Sequence, residues 1–218
     1  MITFKLNGKS IQVPSSWNDV TFAQYLKIFD VKDDVIQLVS ILTGVEYDYL
    51  KSAEIIGLDK LLEAISFTNT QIKFPDQVDY CGPYKIEANS VSKDKKTKGR
   101  KEYNPQYESL GQFEDARKIM NSLDGNIKAH TEAYGKYVAI YLQKIKDKSY
   151  DPQKVEEVEK ELQNYPAFQV ITLGSFFFVK LKILFGGIPR TSLPTPPTRK
   201  KLKRVLKPSK RSSGATRK

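Results

Sequence analysis

The chain has 218 residues, 36 Lys+Arg against 25 Asp+Glu, one His and one Cys. That length suits one domain with extensions or two small ones. A single cysteine excludes an intramolecular disulfide, and one His with one Cys excludes a two-histidine metal site and any zinc-finger spacing.

The chain opens with an alternating pattern. Ile2, Phe4 and Leu6 precede Asn7-Gly8, and Ile11 and Val13 follow. Asn-Gly between alternating runs predicts a β-hairpin, because both turn residues tolerate positive φ. Met1-Ile2-Thr3-Phe4-Lys5 has neither an apolar core nor a small-residue cleavage site, so no secretory signal is expected.

Thr21 or Asp19 is the expected cap of a first helix, whose apolar residues Phe22, Tyr25, Leu26 and Phe29 share one face. Asp33 or Asp34 caps a second helix carrying Val35, Leu38, Val39 and Leu42, which Gly44 is placed to stop. Short helices are expected near 47–56 and 59–67. Residues 72–88 break the helical pattern with Pro75, Gly82 and Pro83, and Tyr84-Lys85-Ile86 alternates like a strand.

A basic loop follows. Lys93, Lys95, Lys96, Lys98, Arg100 and Lys101 supply six positive charges against the single Asp94, a possible secondary basic patch. Beyond it the pattern is helical: 108–123, ended near Gly125, then 127–146, then 153–163. Asp151-Pro152 marks the start of the last, with Asp as cap and Pro at the first helical position. Its outer face carries Glu156, Glu157, Glu159 and Glu161. Pro166 precedes an apolar helix over 167–185, the most hydrophobic part of the chain. Lys180 and Lys182 argue against a membrane span, since a central Lys costs about 2.5–3.5 kcal/mol. The expected class is α+β, mainly α: a hairpin and short helices in 1–90, the basic loop in 91–105, a bundle-like helical region in 106–189 and a basic tail in 190–218.

Charge separates along the chain. Arg190, Arg199, Lys200, Lys201, Lys203, Arg204, Lys207, Lys210, Arg211, Arg217 and Lys218 are eleven cations with no anion among them, which leaves 25 against 25 for residues 1–189. The tail's prolines and scarcity of apolar residues predict a disordered polycation suited to nucleic acid or an acidic surface. With no aromatic residue after Phe185 it is expected to read charge rather than bases.

Catalytic chemistry finds little support. There is no Gly-rich phosphate loop, and a Cys81–His130 pair is less expected than a buried structural Cys and a surface His. No enzyme activity and no cofactor are expected. Phe176, Phe177 and Phe178 span about 200° of a helix, so at least one lies off a single core face and is a possible interface anchor. A short echo links Ala23-Gln24-Tyr25-Leu26-Lys27-Ile28 with Gly111-Gln112-Phe113-Glu114 and the later Lys118-Ile119; each opens a helix after a loop.

Leu6-Asn7-Gly8-Lys9, Ser16-Trp17-Asn18-Asp19-Val20-Thr21, Gln24-Tyr25-Leu26 and Ile41-Leu42-Thr43-Gly44-Val45, with the Tyr165-Pro166-Ala167 break before a Phe-rich helix, carry a resemblance over about half the chain. These segments resemble small morphogenesis proteins of tailed bacteriophages, especially the crAss-like and other Bacteroides-infecting groups. The resemblance implies a tail-assembly-chaperone-like protein or a structural component near portal and tail. The cationic tail departs from what a soluble chaperone needs, and favours a virion component touching DNA or an acidic neighbour. The expected partners are other phage structural proteins, a second copy of the chain, and DNA or an acidic protein surface through the tail. The expected location is the virion, or the bacterial host cytoplasm during assembly. Two other readings follow from the same residues: an assembly chaperone absent from the mature particle, and a DNA-binding protein making sequence-independent phosphate contacts.

Overall fold

The computed structural model describes residues 1–6, 9–31, 34–52, 58–70, 73–87, 105–123 and 126–186. Among them a two-stranded hairpin is followed by short helices and then by a long-helix region, the mainly helical α+β arrangement expected. Strands β1 (Ile2–Leu6) and β2 (Lys9–Val13) are antiparallel, with Phe4 opposite Ile11 and Leu6 opposite Lys9. The Asn7-Gly8 link lies outside the described residues. The strands' inner residues Leu6, Ile11 and Val13 are buried with Val20, Val39, Leu42, Leu50, Leu61, Ala64 and Ile65 in a first core.

That core is closed by α1 (Phe22–Ile28), α2 (Val35–Thr43), α3 (Tyr47–Ser52) and α4 (Leu58–Ile65), which runs into a 3-10 turn over Ser66–Asn69. Of the two candidate caps, Thr21 caps α1; its hydroxyl accepts from the Gln24 amide while the Gln24 carboxamide accepts from the Thr21 amide. Asp19 instead accepts hydrogen bonds from the N-terminal ammonium and from Ser15. Asp34 caps α2 by accepting from the Gln37 amide. Gly44 ends α2 in the left-handed conformation, φ 72°, which a residue without Cβ adopts at no steric cost.

Strand β4 (Tyr84–Lys85) is present as expected. Its partner β3 (Tyr80–Cys81) was not foreseen, because two residues are too few for a periodic signal. Gly82 turns between them with φ 56°, its amide donating to the Gln169 carboxamide at 2.9 Å.

The second core is built on α6 (Ile127–Asp147), which packs against α5 (Leu110–Asn121), α7 (Val155–Leu162) and α8 (Ala167–Gly186). Its buried members include Tyr137, Val138, Leu142, Val158, Leu162, Val170, Leu173, Phe177 and Leu181. Two glycines set the closest approaches. A Cβ on Gly174 of α8 would lie 2.7 Å from the Tyr134 Cα and carbonyl oxygen of α6, and one on Gly135 would lie 2.7 Å from the Phe22 ring. Gln143 is fully buried; its carboxamide donates to Asp147 and the Ser149 carbonyl and accepts from the Asp151 amide, which fixes the link from α6 to α7. Asp151-Pro152 starts a 3-10 turn rather than the α-helix itself, which begins at Val155.

The two cores are joined through the start of α1. Thr21 forms an antiparallel bridge with Pro166. The Phe22 and Ala23 amides donate to the Tyr165 and Gln163 carbonyls, and the Ala167 amide donates to the Val20 carbonyl. Tyr25 packs against both cores, and Lys128 pairs with Asp30 at 2.6 Å. Met1–Gly187 is accordingly one compact unit, which holds the described residues of both the N-terminal region and the helical region, 1–87 and 105–186. The second unit, Ile188–Lys218, and the basic loop fall outside the described residues.

The sequence echo has a structural counterpart. Ser109 and Gln112 open α5 with the same reciprocal cap as Thr21 and Gln24 in α1. Each glutamine then sends its Nε2 to a carbonyl of another helix, Leu42 for Gln24 and Ile140 for Gln112, both at 3.0 Å. The shared residues thus perform one joint task twice: cap one helix and tie it to another.

Candidate functional site

The proposed sites divide between described and undescribed residues. All eleven tail cations, Arg190 to Lys218, and the loop cations Lys93 to Lys101 lie outside the described residues. The aromatic run of α8 is described, and the structure divides it. Phe177 is 1% exposed, stacked on Tyr107 with ring centroids 4.5 Å apart and tilted against Tyr141 at 5.0 Å. Phe178 is buried among Tyr134, Tyr137 and His130. Both therefore belong to the core and not to an interface, because α6 and the segment entering α5 cover the two adjacent directions that successive residues of α8 point in. Phe176 is half-buried, edge-on to Phe177, with the Lys180 ammonium 5.0 Å from its ring centre. The interface reading narrows to Phe176.

α8 is long and apolar enough to cross a membrane, but half of its apolar window is buried inside the protein. It is the second core's central partner for α6, consistent with no membrane span.

The thiol and the imidazole take separate structural roles. Cys81 is fully buried, and burial pushes its pKa up to about 12. That is the reverse of an activated thiolate, which needs a neighbouring cation and exposure. His130 is half-buried rather than on the surface, edge-on to Phe178 at 5.2 Å. Among the described residues no three His, Cys, Asp or Glu side chains are grouped to hold a metal ion.

The acidic face of α7 is partly neutralised. Glu156 pairs with Lys160 at 2.9 Å, and Glu161 pairs with Lys146 of α6. Glu159 is half-buried; burial raises its pKa, and Glu156 and Glu132 add to that while Lys136 opposes it. A cavity of about 230 Å³ opens between α5 and α6 beside Tyr141, Ile145 and Lys148, with the Lys144–Glu108 ion pair on its wall. Gln112 also lines it, but the carboxamide is engaged: its oxygen accepts from the Glu108 and Ser109 amides, and its nitrogen donates to Ile140.

Composition and periodicity did not single out the structural glutamines or the close-approach glycines. Gln112 is 1% exposed, yet a glutamine in a first helical turn ordinarily faces water. The signal that could have found it was the Ser109-x-x-Gln112 cap spacing, which recurs as Thr21-x-x-Gln24. Gly135 and Gly174 sit inside helices, where a glycine without a cap role points to a close helix crossing.

No family model, no curated protein and no solved structure matches this chain.

Proposed function

We propose that the chain is a non-enzymatic structural protein of a tailed bacteriophage particle, placed in the portal or tail region or packaged with the capsid. Its body makes protein–protein contacts, and its cationic tail contacts DNA or an acidic neighbour. The observation that carries this reading is the separation of charge: eleven cations and no anion in residues 190–218, against a balanced 25 and 25 in residues 1–189. A uniformly basic protein would spread attraction over its whole surface. Here a neutral folded unit bears a short segment whose attraction to anions is strong and screened by salt. Among the described residues the body is two cores joined through backbone hydrogen bonds and one aromatic residue, Tyr25, shared by both. The phage assignment rests on the segments from Leu6 to Val45 and from Tyr165 to Ala167 that resemble phage morphogenesis proteins.

Quantitative mass spectrometry of purified particles tests the reading. The chain is expected in them at a fixed copy number per particle. Its absence from particles, with abundance in the infected cell, would overturn retention and leave the assembly-chaperone reading.

A further inference from the structure

Strand β1 has one paired edge and one open edge. Leu6 pairs with Lys9 across two intervening residues, and the pair that flanks so short a link exchanges both of its backbone hydrogen bonds. Alternation then makes Phe4–Ile11 and Ile2–Val13 bonded pairs and turns the N–H and C=O groups of Thr3 and Lys5 outward. No described residue bonds those outward groups. The edge also lacks most of the devices that blunt such edges. Its register runs through five consecutive pairs without a bulge, and no proline interrupts Ile2–Leu6. Lys5 is the one charged side chain of the strand, and α2 packs chiefly on β2.

The inner face of β1 is covered unevenly. Leu6 is 6% exposed, Phe4 is half-buried and Ile2 is 42% exposed. A docked strand must therefore bond Thr3 and Lys5 and bring apolar side chains beside Ile2. β1 itself supplies both. Three antiparallel self-pairings match the outward groups, centred on Thr3, on Phe4 or on Lys5. Centring on Lys5 sets two ammoniums opposite each other, and centring on Thr3 leaves Leu6 without a counterpart in the strand. Centring on Phe4 pairs all five residues, bonds Thr3 of each copy to Lys5 of the other, and sets Ile2 opposite Leu6. The two Phe4 rings then meet at a non-hydrogen-bonded position, where facing side chains approach closest. Charge agrees with this register. Lys5 of each copy is brought toward the end of the other strand, where Asp19 lies 3.0 Å from the Met1 ammonium.

We propose that β1 pairs antiparallel with β1 of a second copy of this chain, with Phe4 at the two-fold axis. The product is a four-stranded sheet in the order β2-β1-β1-β2, with one continuous apolar face. The contact rests on strand geometry and not on the particle assignment above, so either can fail without the other.

The experiment is sedimentation velocity of the full chain, freed of nucleic acid, over a range of concentrations. A monomer–dimer equilibrium is expected. Thr3→Pro removes only an outward N–H from an exposed residue, which an edge strand tolerates, and is expected to weaken the dimer about tenfold or more. Thr3→Lys sets like charges opposite at both Thr3–Lys5 positions and is expected to weaken the dimer about fivefold, whereas Thr3→Glu is expected to tighten it about fivefold. Damage to the hairpin would not give those opposite signs, and circular dichroism checks that each variant keeps its helices. The register has its own test. Under mild oxidation Phe4→Cys is expected to give a disulfide-linked dimer and Thr3→Cys none, because a two-residue offset holds the two Thr3 positions beyond the roughly 7 Å that a disulfide spans. Cys81 is fully buried and does not compete. A chain that stays monomeric up to about 1 mM overturns the proposal and leaves the edge to a strand of another protein. A dimer indifferent to the proline and to both charge variants, or one cross-linked through Thr3→Cys and not through Phe4→Cys, overturns it as well.

Discussion

Replacing Gly174 by alanine is expected to lower the melting temperature by roughly 4–8 °C, a net loss of about 2 kcal/mol. Two effects oppose each other here. Alanine is the better helix former by about 1 kcal/mol, which alone would stabilise α8. Against that, the new methyl would sit 2.7 Å from the Tyr134 Cα and carbonyl oxygen. Those are backbone atoms of a helix buried on most sides, so no rotamer change makes room, and α6 and α8 must move apart. Overpacking of this kind costs about 1–3 kcal/mol and more where the obstacle is rigid. The control is the neighbouring Ser175→Ala. Ser175 is half-buried and bonds only back to the Thr172 carbonyl within its own helix, so a change below about 0.5 kcal/mol is expected. Thermal unfolding of the two variants decides the matter. An unchanged or raised melting temperature for Gly174→Ala would show that the α6–α8 spacing is not set by this glycine.

Gln112→Leu is expected to cost about 3 kcal/mol, and Gln24→Leu less than half as much. Both glutamines occupy the third position of a capped helix and both tie it to another helix. They differ in burial and in the number of groups they serve. Gln112 is 1% exposed and satisfies the Glu108 and Ser109 amides together with the Ile140 carbonyl. Leucine fills similar space but takes the carboxamide donor from the buried Ile140 carbonyl and removes the acceptor of the part-buried Glu108 and Ser109 amides, and each unsatisfied buried group costs about 1–3 kcal/mol. Gln24 is half-buried, and water can replace part of what its removal takes from the Thr21 amide and the Leu42 carbonyl. Urea unfolding of the two variants gives the comparison. Equal losses would mean that the matched spacing reflects capping alone, with no difference arising from the ties to α6 and α2.

Much of the element order was legible from local signals. Asp34 and Gly44 bound α2, and Asp151-Pro152 marks the turn into α7, because capping and turn chemistry act over three or four residues. The hairpin was legible for the same reason: alternation with a two-residue interruption fixes the pairing of Phe4 with Ile11. What local reasoning could not reach were the contacts made across the chain. The bridge of Thr21 with Pro166 joins residues 145 positions apart, and it decides that the two halves share one body. The β3 strand is two residues long and pairs only because Gly82 turns the chain back against Gln169. Phe176, Phe177 and Phe178 look equivalent in sequence, and only the position of α6 shows which two are core. The site reading was legible as charge alone, since the cationic residues carry no periodicity that would commit them to a fold.

Charge separation is the claim on which the functional account stands, and a salt titration addresses it directly. Full-length chain and a 1–189 truncation, which keeps every described residue of both cores, are titrated with random duplex DNA at several salt concentrations. If about eight tail cations contact phosphates, the logarithm of the binding constant falls with the logarithm of salt at a slope of about −7, so that doubling the salt weakens binding about a hundredfold. The account predicts that slope for the full chain, and much weaker binding with a shallower slope for the truncation, which keeps only the loop cations Lys93 to Lys101 as a basic cluster. Equal affinity of the two proteins, or a full-length slope near zero, would contradict it.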